Sequence, residues 1–136
     1  MEYEGYREPQ KYRRPHYYGD ETRRLFVGGG ALILLSLPLF IHTFSVSFFF
    51  PVFVIVCIGL IAGLENPLQK WTHYLSAAVA LSGVLIFEWY ALTLYMDPPH
   101  YDLHTVILFW INHALAADFF FAFYFSVKTI RGMTLK

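Results

Sequence analysis

Four long apolar runs, separated by short polar breaks, fill the chain after residue 24. They cover 25–43, 46–64, 74–96 and 104–127, each close to the ~20 helical residues that cross a ~30 Å hydrocarbon core. The runs are continuous rather than alternating with period two, which disfavours a β-barrel. One helix through both of the first two runs would be ~60 Å long at the helical rise, twice the core thickness, so a turn is expected between them. His42-Thr43-Phe44-Ser45-Val46-Ser47 is the polar interruption there, flanked by Pro38 and Pro51, which places the turn within 42–51. The later breaks, Glu65-Asn66-Pro67-Leu68-Gln69-Lys70 and Asp97-Pro98-Pro99-His100-Tyr101-Asp102, carry prolines that disfavour helix at the residue before them. The pattern predicts an all-α integral membrane bundle of four transmembrane helices within residues 25–136.

Residues 1–24 have a different composition. They hold five of the ten tyrosines and no apolar periodicity, so they read as a largely disordered cytoplasmic tail. Asp20-Glu21-Thr22 is expected to cap the first helix with acidic groups at its positive end. Lys11, Arg13, Arg14, Arg23 and Arg24 suit anionic lipid headgroups, worth ~1 kcal/mol per basic residue near the surface.

Composition supports the membrane reading. The chain is 57% hydrophobic and only 15% charged, against about 25% charged for soluble domains. Ten Lys+Arg balance ten Asp+Glu, which disfavours a nucleic-acid partner bound by phosphate neutralisation. The balance hides an asymmetry: all ten basic residues lie in the tail, in 65–73 or after 127, and none in 42–47 or 97–103. With four spans this puts both termini in the cytoplasm. A signal peptide cleaved at Ser45-Val46-Ser47 is the rival reading, disfavoured by the 24 hydrophilic residues ahead of it. The single Cys57 excludes an intrachain disulfide or a multi-cysteine centre.

An ionisable residue inside a span costs roughly 2.5–3.5 kcal/mol on insertion scales and therefore faces protein or water. Glu88, His113 and Asp118 qualify, with Asn112 beside them. Counted from Met96 and His104, Glu88 and Asn112 are each eight residues in, about 12 Å deep. Contact between Glu88 and His113 or Asn112 is expected, and Asp118 comes level with Ser82. At 100° per residue, Trp110, His113, Ala114, Ala117 and Asp118 form a small or polar face expected to pack against other helices. Leu108, Leu115, Phe119 and Phe123 are expected toward lipid, with Asn112 on their arc. Ser76, Ala80 and Gly83 line a packing face of the third helix, away from Glu88. The polar group has two readings: pins that fix helix register, or a proton- or cation-handling site.

The outer loop offers Asp97, His100, Asp102 and His104, with His42 near by, as a candidate divalent-metal site; an ordinary polar loop is the competing reading. Glu65 is expected to pair with Lys70 or an arginine at the inner end. Gly28-Gly29-Gly30 opens a span and reads as close helix packing. No Walker-type loop, nucleophile elbow or dinucleotide fingerprint occurs, so an enzyme is disfavoured and no cofactor is implied.

Small multidrug carriers are similar in size and helix count, but their membrane carboxylate lies in the first span, not the third. Arg24-Leu25-Phe26-Val27-Gly28-Gly29, continued by Asn66 and Lys70-Trp71, resembles the opening of the GtrA-type flippase-associated family; the aromatic-rich remainder of that pattern is missing. Tyr17-Tyr18-Gly19-Asp20, Arg23-Arg24-Leu25-Phe26 and Gly63-Leu64-Glu65-Asn66-Pro67-Leu68-Gln69-Lys70-Trp71 more nearly resemble a group of small bacterial four-span integral membrane proteins, over under a fifth of the chain. That resemblance implies a bacterial inner-membrane location and brings no activity. The expected function is a structural, assembly or interaction subunit held by intramembrane polar contacts, in a homo-oligomer or with a membrane partner subunit. The alternative is a small oligomeric proton- or cation-linked transporter or channel using Glu88, His113 and Asp118.

Overall fold

The computed structural model describes residues 17–44, 47, 49–96 and 102–135. Four helices run up and down: α1 (Gly19–Phe44), α2 (Phe49–Leu64), α3 (Lys70–Met96) and α4 (Leu103–Thr134). No strand occurs among the described residues. The all-helical bundle expected from hydropathy is the fold the chain adopts. The helices outrun the apolar runs mainly at one end, α1 starting six residues before Leu25 and α4 ending seven after Val127. Hydropathy marks where a helix meets hydrocarbon, whereas its hydrogen-bond ladder continues into the polar flanks. Most of the expected tail, residues 1–16, lies outside the described residues.

Three helices are long and apolar enough to cross a membrane, over Gly19–Thr43, Lys70–Met96 and Leu103–Thr134. The fourth, α2, is apolar throughout but has 16 residues, about 24 Å at the helical rise.

Local chemistry sets the ends. Glu21 and Thr22 donate their backbone N–H groups to the Tyr18 carbonyl, and Asp20 and Glu21 occupy the positive first turn of α1. The first turn of the chain falls between Phe44 and Phe49, inside the expected window. Pro51 sits in the first turn of α2, where its missing N–H breaks no helical bond. In the next turn the Asn66 side chain accepts from Leu68 N at 2.9 Å and its carbonyl accepts from Gln69 N at 3.2 Å. Asp102 caps α4, its Oδ1 accepting from Thr105 N at 2.9 Å; that hydrogen bond holds its carboxyl below the usual range.

The core is built around α4, which lies along α3 and also against α1, while α2 leans on α1 and barely meets α3. Buried positions recur every three or four residues: Thr22, Phe26, Gly29, Ile33, Ser36 and Phe40 on α1, and Thr105, Leu108, Asn112, Leu115, Phe119, Ala122, Ser126 and Thr129 on α4. A mean spacing near 3.5 keeps one seam facing its neighbours in a left-handed bundle. Ser76, Ala80 and Gly83 are the matching stripe on α3, as expected. Phe119 is the central knob: it stacks on Phe87 at 5.5 Å and meets Phe26 edge-on at 5.9 Å. The backbone notch at Gly83 admits it, and Gly29 admits α4 on the other side.

The expected facing of α4 is reversed. Leu108, Leu115 and Phe119 are buried, whereas Ala114, Ala117 and Trp110 are exposed. In a bilayer, core and lipid are equally apolar, so hydrophobicity cannot separate them; only the 3.5-residue rhythm does. The charge asymmetry has a structural counterpart: Arg23, Arg24, Lys70, Lys128 and Arg131 gather at the end where α1 and α3 begin.

Candidate functional site

Antiparallel packing of α3 on α4 brings Glu88 and His113 to one level. Glu88 Oε1 stands 3.9 Å from His113 Nε2, with the two side chains 45% and 39% exposed. Depth counting expected this encounter, because helical rise is nearly constant. At 3.9 Å the pair exceeds hydrogen-bond length. His113 Nδ1 lies 3.2 Å from the Phe109 carbonyl, an acceptor, so Nδ1 carries the proton and a neutral ring would turn the Nε2 lone pair toward Glu88. Phe109, at 4.5 Å between ring centroids, and Trp110 at 6.3 Å flank the imidazole.

The other expected members lie apart. Asn112 is fully buried in the core instead of on a lipid-facing arc; its Nδ2 donates to the Leu108 carbonyl at 2.8 Å and its Oδ1 has no partner. Asp118 sets a buried, unpartnered Oδ2 over Gly29 of α1. Ser82 faces outward and donates to the Ala78 carbonyl. Asp102 lies 3.5 Å from His104, and the His104 and His42 rings are 6.1 Å apart. Asp97 and His100 fall outside the described residues, among which no three His, Cys, Asp or Glu side chains are placed to hold a metal. Arg23 and Arg24 are exposed at the start of α1, Arg24 being 3.4 Å from Glu21; Lys11, Arg13 and Arg14 lie outside the described residues.

Sequence reasoning missed a second polar cluster, at the basic end. The Asn66-Pro67 turn folds Glu65 back onto the first turns of α3. There its Oε2 meets His73 Nδ1 at 2.9 Å, with side chains only 2% and 1% exposed. Ser76 Oγ donates to Glu65 Oε1. Glu65 therefore pairs with His73 and Ser76, not with Lys70 or an arginine. The available signal was the spacing: His73 and Ser76 start the stripe that continues through Ala80 and Gly83.

Two tyrosines close this end. The Tyr17 ring meets His73 edge-on at 5.7 Å. Tyr18 N donates to Thr129 Oγ1 at 3.1 Å, while its ring stacks on Phe125 and lies under Lys128 Nζ at 4.4 Å. Burial, then the negative charge of Glu65, pushes the Tyr17 phenol up to about 12. A phenol raised by folding stabilises the docked state fully below its unfolded value near 10, and that contribution disappears as pH rises toward 12. The phenolate absorbance lost in Tyr17→Phe is therefore expected to titrate near pH 12. A midpoint near the ordinary tyrosine value would mean the ring does not dock on the cluster.

An apolar cleft of about 200 Å³ opens between α2 and α3, lined by Ile33, Phe40, Val54, Cys57, Ile58 and Phe87 among others. Cys57 thus lies half-buried where α2 and α3 barely meet.

Fold and polar groups together define a small helical protein with three helices of membrane-crossing length and the Glu88–His113 pair on its outer wall. No protein-family model, curated protein or solved structure matches the chain.

Proposed function

We propose that the protein is an integral membrane assembly subunit, multi-pass in a bacterial inner membrane with both termini cytoplasmic. One observation carries the assembly role: Glu88 and His113 stand 3.9 Å apart yet 45% and 39% exposed, eight and ten residues inside the helix ends. That depth is about 12–15 Å, where the default neighbour is hydrocarbon and polar exposure is costly. A protein surface laid over the pair removes the cost. Beside it Ala114 and Ala117 are exposed, and small side chains let a neighbouring helix approach closely. The basic cluster at one end supports the orientation, and Lys11, Arg13, Arg14, Arg23 and Arg24 supply contacts to anionic headgroups.

The test is the doubly apolar variant Glu88→Leu/His113→Leu. It is expected to insert and fold but to lose its complex in native membranes, read as a fall in mass on mild solubilisation. An unchanged complex overturns the assembly reading.

A second reading, a proton- or cation-linked carrier, rests on the acid–base pair of Glu88 and His113 and on the unpartnered Asp118 Oδ2. Flux in liposomes that is lost in Glu88→Gln and Asp118→Asn, with assembly intact, selects it. No flux in the wild type removes it.

A further inference from the structure

We infer that the surface covering Glu88 and His113 is a second copy of this chain, docked about a two-fold axis along the bilayer normal. Each Glu88 then meets the partner's His113. The inference rests on the assembly reading and names its partner.

Depth is the first argument. A two-fold axis along the normal leaves every residue at its own depth, so a group meets only groups of its own level across the interface. A self-docking face must therefore carry acid and base at one level, side by side. Glu88 and His113 satisfy that requirement within one chain. Any other partner needs a matching base and acid at that depth; a second copy supplies them by symmetry, as in any isologous contact.

Unused hydrogen-bonding capacity is the second. His113 spends Nδ1 on the Phe109 carbonyl and has Nε2 left, which lies too far from Glu88 of its own chain to bond well. The carboxylate likewise accepts nothing at hydrogen-bond length from within its own helix pair. Both are accessible from outside the bundle. Two copies close the set into a ring of two carboxylates and two imidazoles, in which each Nε2–H donates to the partner's Glu88.

The surrounding surface is the third. Ala114 and Ala117 keep α4 low beside the pair, while Leu85, Trp89, Leu92 and Trp110 are exposed around it. A polar centre within an aromatic and aliphatic rim is the anatomy of a specific interface.

Charge reversal tests the pairing. With Cys57→Ser as background, Ala117→Cys reports contact between copies by crosslinking in lipid nanodiscs. Self-crosslinking is expected, and Glu88→His alone or His113→Glu alone should weaken association roughly ten- to hundred-fold. Mixing these two variants should restore it, because each chain then offers the other its complement. The double swap Glu88→His/His113→Glu should also restore it, which guards against simple misfolding. A monomer with no self-crosslink overturns the inference. If the same face instead crosslinks to a different membrane protein, and Glu88→Leu abolishes that contact, the assembly reading stands and the second copy does not. No contact of either kind removes both. Self-crosslinking that mixing fails to restore overturns the reciprocal pairing.

Discussion

Alanine at His73 is expected to destabilise the bundle by about 3–5 kcal/mol, the cost of removing one partner of a buried carboxylate–imidazole pair. The Glu65 and His73 side chains are 2% and 1% exposed, so no solvent screens what remains. Without the imidazole, Glu65 keeps only the Ser76 hydroxyl, and Tyr17 loses the ring it packs on. Replacing both partners, as in Glu65→Leu/His73→Leu, should recover most of the loss, because an apolar pair of similar volume carries no desolvation penalty. Unfolding in mixed detergent micelles, read by helicity, completes the double-mutant cycle. A His73→Ala protein as stable as the wild type would show that the pair is not buried in the folded state.

The second large effect is steric. A methyl group at Gly83 would stand 2.5 Å from Phe119 Cδ1 and 2.6 Å from Cγ. The ring has no slack to take up, since it is buried against Phe87 and Phe26. Gly83→Ala should therefore destabilise the protein by about 1–3 kcal/mol, the usual cost of overpacking a filled core, and Gly83→Val by more. Against Phe119→Leu the same alanine should cost much less. Equal costs in both backgrounds would mean the ring and the notch do not meet.

How much of this was legible follows from what each signal measures. Helix number and approximate limits come from the length of apolar runs, and the Glu88–His113 encounter from a constant rise. Ser76, Ala80 and Gly83 were readable as a packing face because small residues pack closely in any solvent. The α4 face was misread because Leu108 and Phe119 are as content in lipid as in a core, and Asn112 was carried to the wrong side with them. The Glu65–His73 pair was hidden by the turn between them: hydropathy assigns 65–70 to a polar loop, and nothing local says that Asn66 and Pro67 fold it back under Tyr17. Asp118 lies within α4, but its neighbour Gly29 comes from a helix 89 positions earlier, beyond the reach of depth counting.

The brevity of α2 bears on the lipid around it. Its 16 residues span about 24 Å, whereas α3 and α4, with 27 and 32 residues, exceed a hydrocarbon layer of ~30 Å. The bundle therefore presents unequal hydrophobic heights around its circumference. On the α2 flank the bilayer must pinch by several ångströms or admit headgroups to the Ser47 turn, at a fraction of a kcal/mol per ångström of mismatch. On the α3–α4 flank no pinching is required. A molecule with one thin side and one thick side is expected to gather short-chain lipids along the first.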